Sequence, residues 1–202
     1  MATLERTTPK NTTQATPATF PRQGEWTYDA WLHFPNDGWT YEIINGVLHM
    51  APPPAIDHQR ASGKLFRLFA NFAEEHKLGE VLEAPCGVRL PNQTVPLQPD
   101  ILFVCQEHRH IIGTNYVEGA PDLIVEILSP STHTYDRETK FNLYQEAGVT
   151  EYWLVDYAAK TVEVFTLTDG AYNLVGLYTG DGKIEAHTLT GFTITPNTLF
   201  NF

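Results

Sequence analysis

The sequence predicts a single layered domain of the α/β (α+β) class. Three observations lead there. The runs Asp100 to Cys105 (DILFVC) and Asp122 to Leu128 (DLIVEIL) are apolar at both parities, as expected of strands covered on two faces. Between Asp57 and about Lys77, the residues Ala61, Leu65, Leu68, Phe69 and Phe72 recur at helical spacing and form one amphipathic face. From Thr161 onward the chain divides into short β segments at Asp169-Gly170 and Gly180-Asp181-Gly182. The chain has 202 residues, of which 42% are apolar and 18% charged. That is enough for one core of ordinary size and excludes disorder throughout.

Residues 1–20 are rich in Thr, Ala and Pro and have no apolar h-region. They read as a loose tail rather than a signal peptide, which leaves the cytoplasm as the expected location. Residues 21–202 make up the domain. The aromatic stretch 25–39 forms a short helix and a turn. Tyr41 to Met50 reads as a hairpin, because Asn45-Gly46 accepts φ > 0 at both positions of a type I′ turn. Pro52, Pro53 and Pro54 end it. Asp57 is the expected N-cap of the long helix. Strands follow at 80–84 and 87–90, then the two apolar runs, the second stopped by Ser129-Pro130. Residues 135–147 form a helix with Asp136 in its first turn and Gly148 at the C′ position. Tyr152 to Tyr157 is another strand. From residue 57 the core order is α-β-β-β-α-β, with one of the four strands between the two helices additional to it, followed by a β-rich end.

Composition excludes several classes. The longest apolar runs are about five residues, whereas a membrane-spanning helix needs roughly 20. Cys86 and Cys105 lack metal-type spacing, which argues against a disulfide framework and a structural zinc site. The chain carries 13 Lys+Arg against 24 Asp+Glu, a net charge of −11. That balance disfavours indiscriminate coating of nucleic acid. A local exception is Arg60, Lys64 and Arg67, a basic stripe along the long helix, read either as a solvated face or as a rail for phosphates. There is no Gly-x-Ser-x-Gly elbow, Gly-x-Gly-x-x-Gly turn or Walker-type loop. His108 and His110 fall in an expected loop and read as solvated.

The chemical signal is Glu126. It interrupts LIVEIL, with Ile124 and Leu128 on its own face and Val125 and Ile127 on the other. A lone carboxylate there must take up a proton or find a partner. One partner is a core Lys or Arg. The other is a divalent cation shared with Asp100, which opens the preceding apolar strand and meets Glu126 if the two strands are neighbours. Asp122 shares the parity of Glu126 but lies roughly 13 Å away along the strand, so it reads as a strand-start residue. Lys140 follows on the next helix, where Arg137, Lys140 and Tyr144 are spaced to share a face. It is either the salt-bridge partner of Glu126 or a group that orients water and stabilises a phosphate.

These residues belong to a longer pattern. Tyr41-Glu42-Ile43-Ile44-Asn45-Gly46, His58-Gln59, Pro99-Asp100, Glu126 through Thr132, Asp136-Arg137, Lys140, Tyr144, Gly148 and Glu151 through Asp156 stand in one order. The combination resembles the Uma-type restriction-endonuclease family of the PD-(D/E)XK nuclease superfamily, over about residues 20–198. The resemblance implies a restriction-endonuclease-like core and Mg²⁺-dependent hydrolysis of phosphodiesters in DNA, with Mn²⁺ as a substitute. It puts Asp100 and Glu126 at the metal-binding acids. At the superfamily's usual lysine position, two after the acid, this chain has Leu128, and the lysine role passes to Lys140. Glu42 matches a further acidic position, and His58 falls at the cleft rim. Arg60, Lys64, Arg67 and Arg137 are the remaining candidates for contact with DNA. A homodimer is expected from the symmetry of a duplex, with the aromatics of 25–41 as its interface. The alternative is a catalytically silent nuclease-fold module that binds nucleic acid or protein. A phosphohydrolase acting on small molecules, or a structural protein, is the third reading.

Overall fold

The computed structural model describes residues 20–91 and 93–202, so the tail expected over residues 1–20 lies, except for Phe20, outside the described residues. The short helix α1 (Tyr28–Trp31) starts at Thr27, whose hydroxyl accepts from the Ala30 amide. The hairpin follows as β1 (Thr40–Ile44) and β2 (Val47–Ala51). Asn45 and Gly46 take φ of 51° and 76°, as the type I′ reading requires. The aromatic segment before it packs largely on itself: Phe34 stacks on Tyr41 at 4.6 Å, and Trp31 Nε1 donates to the Tyr41 carbonyl.

Helix α2 (Ile56–His76) begins two residues earlier than expected. Ala55 is its N-cap and supplies no side-chain hydrogen bond. Asp57 is already inside the first turn, where its carboxylate pairs with Arg60 at 2.9 Å. It therefore favours the helix through the dipole rather than as a cap. The helix ends at Lys77 in the left-handed conformation.

The remaining elements are β3 (Gly79–Glu83), β4 (Val88–Arg89), β5 (Ile101–Cys105), β6 (Val117–Glu118), β7 (Leu123–Leu128), α3 (Phe141–Ala147), β8 (Glu151–Asp156), β9 (Thr161–Thr168), β10 (Ala171–Thr179), β11 (Ile184–Glu185), β12 (Thr193–Ile194) and α4 (Pro196–Leu199). A 3₁₀ turn over Gln106–Ile111 follows β5, and a π turn over Tyr135–Lys140 leads into α3. The expected α-β-β-β-α-β order is carried by α2, β3, β5, β7, α3 and β8.

Six strands form one mixed sheet in the order β10-β9-β8-β7-β5-β3. Within this sheet β7 and β8 pair in parallel, and their crossover is the π turn and α3. Every residue of β7 is buried, as its two-faced apolarity predicts. Leu123, Val125 and Ile127 pack under α2 with Leu65 and Phe69. Ile124 and Leu128 pack on the opposite face with Leu143 and Tyr144 of α3. Glu126 thus faces the layer that contains α3. Among the described residues, no helix is long and apolar enough to cross a membrane.

Candidate functional site

Strand β5 runs antiparallel to β7, with Ile101 opposite Val125. One step further along this register, Asp100 falls opposite Glu126. The Asp100 carboxylate accepts from the Ile127 amide at 2.7 Å, which ties the two strand ends together. The strand order thus brings together the two acids that the sequence singled out.

The π turn completes the cluster. Lys140 Nζ lies 3.0 Å from Glu126, 3.3 Å from Glu42 and 3.8 Å from Asp136. Its i→i+5 winding brings Tyr135 beside Lys140, with the ammonium 5.3 Å from the ring centre. Tyr135 donates to Glu42 at 3.1 Å, and the other Glu42 oxygen accepts from the Gln98 amide at 2.8 Å. Tyr144 donates to Glu126 at 2.7 Å. Lys140 and Tyr144 both fall on Oε1 of Glu126. The same winding separates Arg137 from the face expected to hold Lys140 and Tyr144. Arg137 instead pairs with Glu163 on β9 and with His133.

His58 is the second departure. It is buried rather than placed on a rim, and its Nε2 lies 3.4 Å from Asp100. Burial lowers its pKa, but the Asp100 carboxylate outweighs burial and holds it above the usual imidazole range. His58 Nδ1 is buried without a hydrogen-bond partner.

Glu42, His58, Asp100, Glu126, Asp136 and Lys140 all line one cleft of about 780 Å³. Four carboxylates there face one ammonium and two imidazoles, those of His49 and His58. Burial pushes the Glu126 carboxyl well above the usual range against the pull of Lys140, and the other acids add to the rise. Burial likewise raises Asp136 to about 6. Burial opposes the charge on Lys140, but Glu126 and Glu42 overcome it and keep the ammonium protonated. The arrangement is therefore short of positive charge. Lys140 is the ion-pair partner of Glu126, and it lines the cleft.

Arg60, Lys64 and Arg67 are not among the cleft residues. Arg60 is held by Asp57 and lies 5.8 Å from the Phe202 ring centre, and Lys64 donates to the Asn201 carbonyl. Sequence reasoning gave Asp136 only a helix-start role, and its i, i+4 spacing to Lys140 was the signal for more. It also missed a second cluster, Cys105, His108 and Asp122, whose donor atoms lie within 4.8 Å of one another. The Cys105-x-x-His108 spacing was its trace in the sequence.

Comparison with known proteins agrees with the architecture. A family model named Uma2 and described as "Putative restriction endonuclease" matches residues 27–197. An uncharacterized protein, slr1290, from Synechocystis sp. is 25% identical over 173 residues, covering 85% of this chain and 88% of its own length. A crystal structure of a putative nuclease belonging to DUF820, from Anabaena variabilis, superposes with a TM-score of 0.69 at 17% identity. That match covers 85% of this chain and 96% of the other.

Proposed function

Because the chain belongs to the Uma2 restriction-endonuclease family, we propose that it is a metal-dependent DNA endonuclease that hydrolyses phosphodiester bonds in the cleft beside β5 and β7. One observation carries this reading: Asp100, just before β5, is tied to β7 beside Glu126 by the Ile127 amide, with Lys140 3.0 Å from Glu126 in the same cleft. The donor set fits a hard cation, since it is oxygen-rich and short of positive charge. Asp100 and Glu126 would hold Mg²⁺, or Mn²⁺ in its place. When bound, the ion activates a water and neutralises phosphate charge.

The chain's own groups do the rest. Tyr144 and Lys140 fix Oε1 of Glu126, and the Ile127 amide fixes Asp100. Both acids are therefore oriented before any ligand arrives. Lys140 stays protonated and supplies the cation that faces developing negative charge on the phosphate. Glu42 and Tyr135 position Lys140. His58 orients Asp100. A two-fold pair of sites, one for each strand of a duplex, makes a homodimer the matching assembly.

The test is nicking of supercoiled plasmid with Mg²⁺ or Mn²⁺, with an EDTA control. Wild type should cleave only with metal. Asp100→Ala should abolish cleavage with the fold intact, and Lys140→Ala should reduce it by about 10²-fold or more. Cleavage retained in Asp100→Ala overturns the assignment. The silent binding module draws on the ion-paired state of Lys140 and the charge of −11. DNA binding that shifts a gel without nicking, across random-sequence substrates, favours it.

A further inference from the structure

We propose that Cys105, His108 and Asp122 form a second metal site, one that takes a thiolate-seeking transition metal of the zinc class. It lies near the opposite end of β7 from the cleft, since Asp122 precedes that strand and Glu126 is four residues further on, roughly 13 Å away.

The three donors come from three places that the sheet fixes. Cys105 is the last residue of β5, His108 lies in the 3₁₀ turn that follows, and Asp122 stands just before β7. The Asp122 amide donates to the Phe103 carbonyl at 2.9 Å, and one Asp122 oxygen accepts from the Cys105 amide at 2.7 Å. That leaves its second oxygen 2.8 Å from His108 Nδ1. The same ring nitrogen lies 3.3 Å from Cys105 Sγ. Sulfur, nitrogen and oxygen lone pairs thus converge on one point, on a backbone that already holds two of them. Asp122 is buried and Cys105 half-buried, while His108 is exposed and open to an incoming ion.

The chemistry selects the metal. Thiolate, imidazole and carboxylate together suit zinc and its neighbours, whereas Mg²⁺ and Ca²⁺ prefer all-oxygen sites. Three protein ligands leave a fourth position for water or for a neighbouring carboxylate such as that of Glu107. Binding releases the thiol proton to solvent as the metal–sulfur bond forms. The bound ion would clamp the turn to the sheet where β5 and β7 meet, so its effect is on stability.

Co²⁺ is the direct probe, because only a thiolate ligand gives a sulfur-to-cobalt charge-transfer band. Titrating the full chain with Co²⁺ should give that band at one equivalent, and added Zn²⁺ should displace it. Cys86→Ser should keep the band, and Cys105→Ser should lose it. His108→Ala alters an exposed side chain and should weaken Co²⁺ binding by about tenfold or more. It should also abolish the rise in Tm that Zn²⁺ gives the wild type. Asp100→Ala, in the separate cleft, should leave the band unchanged. No band in the wild type, or a band that survives in Cys105→Ser, overturns the proposal. A Zn²⁺-dependent Tm rise that persists in His108→Ala overturns it as well.

Discussion

Glu126 and Glu151 are both buried carboxylates, and their surroundings separate their roles. Glu151 accepts from Trp153 Nε1, from the amides of His187 and Thr188, and from the Thr188 hydroxyl. Its oxygens are used up within the fold. Glu151→Ala strands those donors and should lower stability by about 3 kcal/mol, read as a lower urea midpoint with metal-dependent nicking retained. Glu126 has donors on one oxygen only and stands among like charges. The sequence showed that Glu126 was out of place among apolar neighbours, but residue types alone could not choose between an ion pair and a metal. The same surplus of acid sets a pH dependence. Asp136, raised by burial to about 6, favours the native state while protonated; that contribution is complete below 3.8 and gone above about 6. His58, also raised, adds a term lost as pH rises beyond 6.5. The metal-free protein should therefore lose on the order of 1–3 kcal/mol between pH 5 and 8. Urea midpoints across that range check this, and saturating Mg²⁺ should flatten the slope.

Among the elements, the hairpin and the π turn carry the cleft's positioning groups, and they differ in how legible they were. The hairpin was written in one dipeptide. Gly46 has φ of 76°, and its carbonyl accepts from the amides of Gly24 and Trp26. A Cβ there would lie 2.4 Å from the Gly24 oxygen. Gly46→Ala should cost about 1–3 kcal/mol and, by loosening the strand that holds Glu42, reduce nicking together with Tm. Calorimetry and the plasmid assay on one preparation test both. The π turn could not be read, because the residues of 135–147 suit an α-helix and no residue type marks an i→i+5 turn. Its placement of Tyr135 beside Lys140 rests on contacts with Glu42, 93 residues earlier in the chain. Long-range contacts of that kind leave no local trace. The Asp57 cap failed for a smaller reason: Ala55 takes the N-cap position in extended conformation, two residues ahead of the acid.

For the whole molecule, the sheet order was only partly legible. The apolar runs announced central strands, yet nothing in them said that β5 would lie antiparallel to β7. That pairing is what carries Asp100 to Glu126. The sheet also has an open side. At its margin β10 exposes Leu174, Val175 and Leu177, each more than half accessible, next to a register break between Leu174 and Gly176. An apolar sheet margin invites chance pairing between molecules, and the break blunts it by bending the strand. The consequence is practical. Association in concentrated solution is favoured at this margin, independently of the robustness of the core. Val175→Lys should raise the concentration at which turbidity appears, with melting temperature and nicking unchanged.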